Sequence, residues 1–220
     1  MKDSQYNYMK EVANTKRTNL GLVSNSTWSK DPKRFLFSLS RYKFVSKMLS
    51  NSKNVLEVGC GDGWNAKLVS ETVKNLTLTD YCEEFVDEAK LNSSDWKNKP
   101  NCFSHNFCES SLNDHMFDAV YSLDVLEHIQ PELEIQFLDN IRKSCKSHSK
   151  FIFGMPSLES QEHISIEKRD PGHVNCKTQL GLIETLSKVF PVVLPFSLND
   201  EVLHTGFGPM SHYIICICVN

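Results

Sequence analysis

Apolar positions in this chain recur with two periods. In DPKRFLFSLSRYKFVSKMLSN, Phe35, Leu36, Leu39, Phe44, Val45 and Leu49 return at helical spacing. Asp31 is suited to cap that helix and Pro32 to open its first turn. Shorter apolar runs follow and are read as strands: Asn54–Val58, NLTLTD ending at Asp80, NCFSHNF, FDAVYSLD and FIFGMP. Helical patterns separate them, from the glycine turn through about Val73, in CEEFVDEAKLN and in PELEIQFLDNIRKSCK. Strands alternating with helices predict a parallel, doubly wound sheet with right-handed crossovers. The ending differs: after the helix TQLGLIETLSKVF, the strands PVVLPFSL and HYIICICV are separated only by NDEVLHTGFGPM. The expected fold is α/β, a seven-stranded, mostly parallel sheet with helices on both faces and a C-terminal antiparallel β-hairpin. Residues 1–30 are polar and turn-rich and are expected to form a mobile arm ahead of a single domain, 31–220.

Composition narrows the function classes. The formal net charge is -3 and the pI about 6.2, so no basic field for nucleic acid is expected. No run approaches the roughly 18 apolar residues that cross a bilayer, and no membrane partner is expected. The eight cysteines form no CxxC pair, and several sit within apolar strand patterns. With no apolar leader in MKDSQYNYMKEV, these features predict a reduced, cytoplasmic protein.

The stretch NVLEVGCGDGWNAKL, residues 54–68, carries glycines at 59, 61 and 63. Glycine lets a backbone approach a ligand closely, and the helix start beyond aims free N–H groups at the same place. A dinucleotide fingerprint, G-x-G-x-x-G, needs its third glycine at position 64, where this chain has Trp64. The pattern present is G-x-G-x-G, which disfavours a nicotinamide oxidoreductase. Asp80 lies 21 residues after Gly59, where a carboxylate can accept both hydroxyls of a ribose. Asn106 and Phe107 follow the third strand, where an amide can read an adenine edge and a ring can stack on its face.

Taken in order, VLEVGCGDG, LTLTD and FDAVYSLDVLEHI resemble motifs I, II and IV of the class I S-adenosylmethionine-dependent methyltransferases. DVLEH is similar to the branch containing the ubiquinone-biosynthesis O-methyltransferases. The resemblance runs over about residues 35–220 and implies a Rossmann-like sheet holding S-adenosylmethionine at the glycine turn. It implies that Glu57 orients the turn and helps to bind the amino end of the methionine moiety. Gly59, Cys60 and Gly61 would approach the cofactor through their backbones, Asp80 would hold the ribose, and Asn106 and Phe107 the adenine. Leu123 and Asp124 would lie near the methionine part. Arg41 stands where related enzymes use a basic residue on the methionine carboxylate, with an ordinary surface charge as the competing reading.

Methyl transfer is an in-line displacement at an activated sulfonium carbon, so alignment and exclusion of water dominate. A hydroxyl acceptor must also lose a proton, which calls for a base or a Lewis acid. Four of the eight histidines, His128, His173, His204 and His212, fall toward the ligand edge, and the first three are the candidate catalytic bases. His105, His115, His148 and His163 read as loop or surface residues. Asp124, Glu127 and His128, at i, i+3 and i+4, can share one side of a helical turn. With His173 they would form a metal site suited to Mg²⁺ or Mn²⁺. That set is similar to the E-x-x-E-H cluster of small-RNA 2′-O-methyltransferases, with Asp in the first place. The plainer reading, carboxylates favoured at a helix N-terminus, is preferred to the metal.

Two segments, GMPSLESQEHISIEKRDPGHVNCK and NDEVLHTGF, place polar loops after strand five and in the hairpin. They predict a small, hydroxyl-rich acceptor. A looser resemblance to methyltransferases of bacterial surface-polysaccharide genes makes a sugar or phosphosugar the expected class. Where N-methyltransferases of nucleic-acid amines carry [DNS]-P-P-[YFW], this chain has SLDV, which argues against that activity; O-methylation of the small acceptor is the leading expectation. N- or C-methylation of another small molecule and a non-catalytic cofactor-binding subunit are the alternatives.

Overall fold

The strands are β1 (Asn54–Val58), β2 (Asn75–Asp80), β3 (Asn101–Ser104), β4 (Phe117–Leu123), β5 (Cys145–Pro156), β6 (Val192–Asn199), β7 (Val202–His204) and β8 (Tyr213–Val219). In the computed structural model, which describes residues 2–15, 17–112, 117–165, 167 and 169–220, they form one sheet in the order β3-β2-β1-β4-β5-β8-β6-β7. The first five strands pair in parallel. β8 returns antiparallel between β5 and β6, so the C-terminal strands close the sheet as expected. The strand count is eight rather than seven. The extra strand, β7, lies in the segment read as a hairpin loop, where Val202, Leu203 and His204 pair with the end of β6.

Alternation along the strands sorts side chains onto two faces. In β8, Tyr213, Ile215 and Ile217 join one apolar layer and Ile214, Cys216 and Cys218 the other. Tyr42 and Val45 of α3 (Pro32–Met48), its capping residue Leu49, Val69 of α4 (Lys67–Ser70) and Ala89 of α5 (Glu83–Asn92) cover the first layer. Phe137, Leu138 and Ile141 of α6 (Glu134–Lys143) and Leu182 and Leu186 of α8 (Gln179–Ser187) cover the second. A five-residue helix, α7 (Leu158–Glu162), follows β5. All eight cysteines are free thiols, and Cys60, Cys145, Cys216 and Cys218 are buried in these layers. Among the described residues no helix is long and apolar enough to cross a membrane.

Three elements differ from the sequence pattern for local reasons. The helix expected to run to Val73 is a 3-10 turn, Trp64–Ala66, followed by α4, which ends at Ser70. Thr72 and Val73 are β-branched and poor helix formers. The backbone there is tied instead to the end of α3, with Asn51 N donating to Thr72 O at 2.9 Å and Thr72 Oγ1 to Ser46 O at 3.1 Å. β3 stops at Ser104 because the chain turns just beyond it, where Asn106 Oδ1 accepts from Cys108 N and Asn106 O from Glu109 N, both at 3.0 Å. The first thirty residues contain α1 (Lys2–Ala13) and α2 (Leu22–Lys30), and Ser24 of α2 is buried. His115 lies outside the described residues.

One buried acid interrupts the apolar pattern of β1. Glu57 is 1% exposed, and its two oxygens accept from the hydroxyls of Tyr42 at 2.6 Å and Tyr121 at 2.5 Å. Burial pushes its carboxyl up to about 8; the two tyrosine hydrogen bonds oppose that, and nearby Asp80 and Asp62 reinforce it. Glu57 thus links α3 to β4 through the sheet.

Protonated Glu57 is the form the folded state favours. Because its folded pKa is raised, its contribution is fully present below about pH 4.5 and is lost as pH rises through about 8. The stability of wild type relative to Glu57→Gln therefore declines between those limits, by at most about 1.4 kcal/mol per pH unit. Urea denaturation of both proteins at several pH values measures this. Phe151, fully buried against Phe190 at 4.6 Å between ring centres, tests the second layer. Phe151→Ala is expected to cost roughly 3–5 kcal/mol in the same assay.

Candidate active site at the carboxyl edge of the sheet

The turn after β1 has left-handed backbone at each glycine, with φ of 76° at Gly59, 53° at Gly61 and 66° at Gly63. A Cβ on Gly59 would lie 2.2 Å from Val125 Cγ2, so the turn packs directly on the segment after β4. A Cβ on Gly61 would meet nothing within 4 Å, so this peptide presents bare backbone to open space. Its N–H donates to Asp80 Oδ2 at 3.0 Å, while Asp80 Oδ1 accepts from Cys82 N at 3.0 Å. The glycine turn and the carboxylate expected to hold a ribose are therefore in direct contact. The Cys60 side chain is buried, and burial raises its thiol pKa far above the ordinary range. That side chain packs inward, while Cys60 N donates to Thr79 O and Cys60 O accepts from Gly63 N, each at 3.0 Å.

The two residues assigned to adenine are placed differently from that expectation. Asn106 uses its amide locally, donating to Glu109 Oε1 at 2.8 Å and accepting from Cys108 N at 3.0 Å. Phe107 is 2% exposed, and its ring meets Phe137 edge-on within the second apolar layer. The aromatic ring exposed at this edge is Tyr81, 78% accessible and adjacent to Asp80. Sequence reasoning passed over it, although its place directly after the strand-ending acid was a usable signal.

At the end of β4, Leu123 is buried and Asp124 has a φ of 57°. Asp124 N donates to Gly154 O at 2.9 Å, which fixes this unusual conformation. Both Asp124 oxygens lie 3.0 Å from Nη1 of Arg41. The Arg41 guanidinium also sits 3.6 Å from the centre of the Tyr213 ring. Burial lowers the pKa of Arg41, but Asp124 and Tyr213 more than offset this and hold the cation above its ordinary value. Arg41 is thus no loose surface charge. It belongs to the site edge, bound to Asp124.

Asp124 stands apart from the other three residues read as a metal set. Its left-handed backbone takes it out of the helical turn, and only Leu126–His128 form a 3-10 turn. Glu127, His128 and His173 do converge, offering one oxygen and two ring nitrogens within 4.8 Å of one another. The two imidazole centres are 5.0 Å apart. His128 Nδ1 donates to Gly172 O at 2.8 Å and His173 Nδ1 to Gln161 Oε1 at 3.1 Å, which leaves Nε2 as the basic nitrogen of each neutral ring. His173 Nε2 lies 3.9 Å from Asp170 Oδ2. Burial and neighbouring His128 lower the His173 pKa, while Asp170 opposes the shift.

Glu127 is 0% exposed, and neither carboxylate oxygen has a hydrogen-bond partner among the described residues. Burial and the Asp124 charge raise its pKa well above the ordinary value. An unpartnered buried carboxyl is costly and calls for a specific reason to be kept. The loop that brings His173 here is anchored on both sides. Val174 N and Asn175 N donate to Glu127 O at 2.9 Å, while Asn175 and Lys177 both bind Glu134 Oε1 at 3.0 Å.

His204 is engaged differently. Its Nε2 donates to Asn199 Oδ1 at 2.6 Å and its Nδ1 accepts from Gly206 N at 3.0 Å, so both nitrogens staple the hairpin turn. This arrangement leaves no ring nitrogen free to take a proton from an acceptor. His212 is an exposed residue 3.5 Å from Asp200.

Residues 56–153 match a family model described as a methyltransferase domain. The chain is 28% identical over 134 residues to a ubiquinone biosynthesis O-methyltransferase of Rickettsia bellii (strain OSU 85-389), covering 56% of this chain and 54% of that protein. It therefore spans about half the length of this curated relative. The bacterial CtHen1-C methyltransferase domain shares the fold with a TM-score of 0.68 at 16% identity, covering 83% of this chain and 98% of that one. So does the N-methyltransferase NodS from Bradyrhizobium japonicum WM9 in complex with S-adenosyl-L-homocysteine, with a TM-score of 0.62 at 16% identity over 88% and 90% of the two chains. The family match spans β1 through most of β5, the strands that carry the glycine turn, Asp80 and the Asp124 edge. Over residues 56–153 the chain thus matches a methyltransferase domain, on a fold shared with these solved methyltransferases.

Proposed function

We propose that this protein transfers the methyl group of S-adenosylmethionine to a hydroxyl of a small polar acceptor. The observation that carries this reading is the Glu127–His128–His173 cluster, a buried carboxyl without a partner beside two oriented imidazoles. N-methylation of an already neutral amine has less need of such a proton-accepting group; an alcohol has a definite need. As the new O–C bond forms and the S–C bond breaks, the acceptor proton passes to Nε2 of His128 or His173, and neutral S-adenosylhomocysteine leaves. Asp80 and the backbone of Gly59–Gly61 hold the cofactor, with Arg41 and Asp124 at its methionine end. A non-catalytic cofactor-binding subunit would have no use for an unsatisfied carboxyl at this depth.

The same three side chains suit a divalent metal such as Mn²⁺ or Mg²⁺, because each imidazole is already oriented by an oxygen acceptor on Nδ1. A bound cation would lower the pKa of an acceptor hydroxyl. Asp124 joins that set only by leaving Arg41. The polar α7 and the Asn199–His204 turn favour a sugar or phosphosugar of surface-glycan biosynthesis as acceptor, handled in the cytoplasm without nucleic-acid or membrane partners. Exposed Phe207 and Met210 in the same hairpin support a second reading, an acceptor with an apolar portion attached.

Calorimetric binding of S-adenosylhomocysteine tests the cofactor, and Asp80→Ala is expected to weaken that binding at least tenfold. Turnover is then followed as S-adenosylhomocysteine release across a panel of sugars, phosphosugars and amphipathic alcohols. Glu127→Gln and His128→Ala are each expected to lower kcat about a hundredfold or more with cofactor affinity within about threefold of wild type. Full activity in both variants would remove the cluster from the reaction. Mn²⁺ binding by the wild type that is lost in Glu127→Gln would support the metal; equal binding in the two would discard it.

A further inference from the structure

The glycine turn has an outer face as well as a cofactor face, and the outer face is gripped by α2. Asp62, between Gly61 and Gly63, is buried. Its Oδ2 accepts from Ser24 N at 2.8 Å, and its Oδ1 accepts from Ser24 Oγ at 3.2 Å and Trp64 N at 3.1 Å. Asn92, at the end of α5, donates to Asp62 O at 2.8 Å. A second grip is apolar: Trp28 of α2 meets Phe35 edge-on at 5.7 Å, and Phe35 meets Trp64 at 5.3 Å between ring centres. The fit is tight at Gly21, where a Cβ would stand 2.5 Å from both Asp62 Cγ and Asn92 Nδ2. Gly21 has an ordinary extended backbone, so its requirement for glycine comes from this contact alone.

We infer that Asp62 is a positioning residue that makes α2 a working part of the S-adenosylmethionine site. Two of the three donors to its carboxylate come from Ser24. Undocking α2 would leave a buried charge with one donor, which is costly, and the carboxylate would turn outward to water. Gly61 and Gly63 flank Asp62 and offer little steric resistance to that turn. The Gly61 peptide would then lose its fixed position beside Asp80. A ligand that requires the ordered turn must bind the docked form preferentially, and by linkage its binding must tighten the docking of α2. The sequence hides this contact because Ser24 and Asp62 are 38 residues apart and each reads as a surface residue.

The inference rests on the cofactor reading above, and wild-type binding of S-adenosylhomocysteine separates the two: absence of that binding would count against the cofactor, not against the clasp. Gly21→Ala introduces a methyl into the clasp from the α2 side and substitutes no residue of the turn and no catalytic group. It is expected to raise the Kd for S-adenosylhomocysteine at least tenfold and to speed amide exchange over residues 21–30, with the thermal midpoint of the unliganded protein within a few degrees of wild type. In wild type, the ligand is expected to slow exchange over 21–30. Ser24→Ala, which removes one of the three donors, is expected to give a smaller change of the same sign. Unchanged affinity in Gly21→Ala, or exchange over 21–30 that does not respond to the ligand, would overturn the inference.

Discussion

Five residues between β1 and the following 3-10 turn must pass through left-handed backbone three times, and the site is arranged around that requirement. Any side chain at Gly59 would collide with the segment after β4, and Gly61 and Gly63 hold conformations that L-residues adopt at a cost. A turn of glycines is loose in isolation, since nothing in it resists rotation. Its order is supplied from outside: Asp80 from the neighbouring strand, Ser24 and Asn92 through Asp62, and Val125 against Gly59. The flexibility that permits close approach to a ligand is thereby confined to one conformation.

This bracing brings three carboxyl groups close together, and the protein treats them differently. Asp62 and Asp80 receive backbone N–H donors, whose dipoles compensate a negative charge. Glu57 receives tyrosine hydroxyls in a dry environment, and burial together with the other two acids raises its pKa to about 8. The acid held by tyrosine hydroxyls thus lies in the core, and the two held by backbone N–H groups lie at the edge. Farther along the sheet edge, Asp124 is matched to Arg41, while the Glu127 oxygens have no hydrogen-bond partner among the described residues. The differing treatment of these acids marks Glu127 as the group whose environment folding alone does not explain.

Much of this architecture was legible in the sequence where period and chemistry agree. The two-fold alternation of β4 and β8, the order of strands and helices, and the glycine turn followed by Asp80 were all readable. Contacts between distant residues were not. Glu57 looks like a cofactor ligand in sequence, yet its oxygens are taken by Tyr42 and Tyr121 from elements 15 and 64 residues away. Phe107 was read from its place after a strand, but the turn at Asn106 directs its ring inward. His204 and His173 look equivalent as loop histidines; the first is closed by local hydrogen bonds and the second keeps a basic nitrogen. The metal set was read on a regular helical turn, and the left-handed backbone at Asp124 broke that geometry. Such distinctions depend on tertiary partners that spacing does not encode.

The small strand β7 also shapes the border of the sheet. Beyond it, the open border of the sheet is β6, where Val192 and Leu194 are exposed on an extended backbone. An extended apolar border of this kind is a template for strand addition and aggregation. β7 occupies the stretch Ser197–Asn199 and is only three residues long, too short to offer a ladder of its own. Pro195 leaves the rest of β6 without an N–H in the middle of the exposed run. The hairpin thus also gives the sheet a border on which a further strand finds little to pair with.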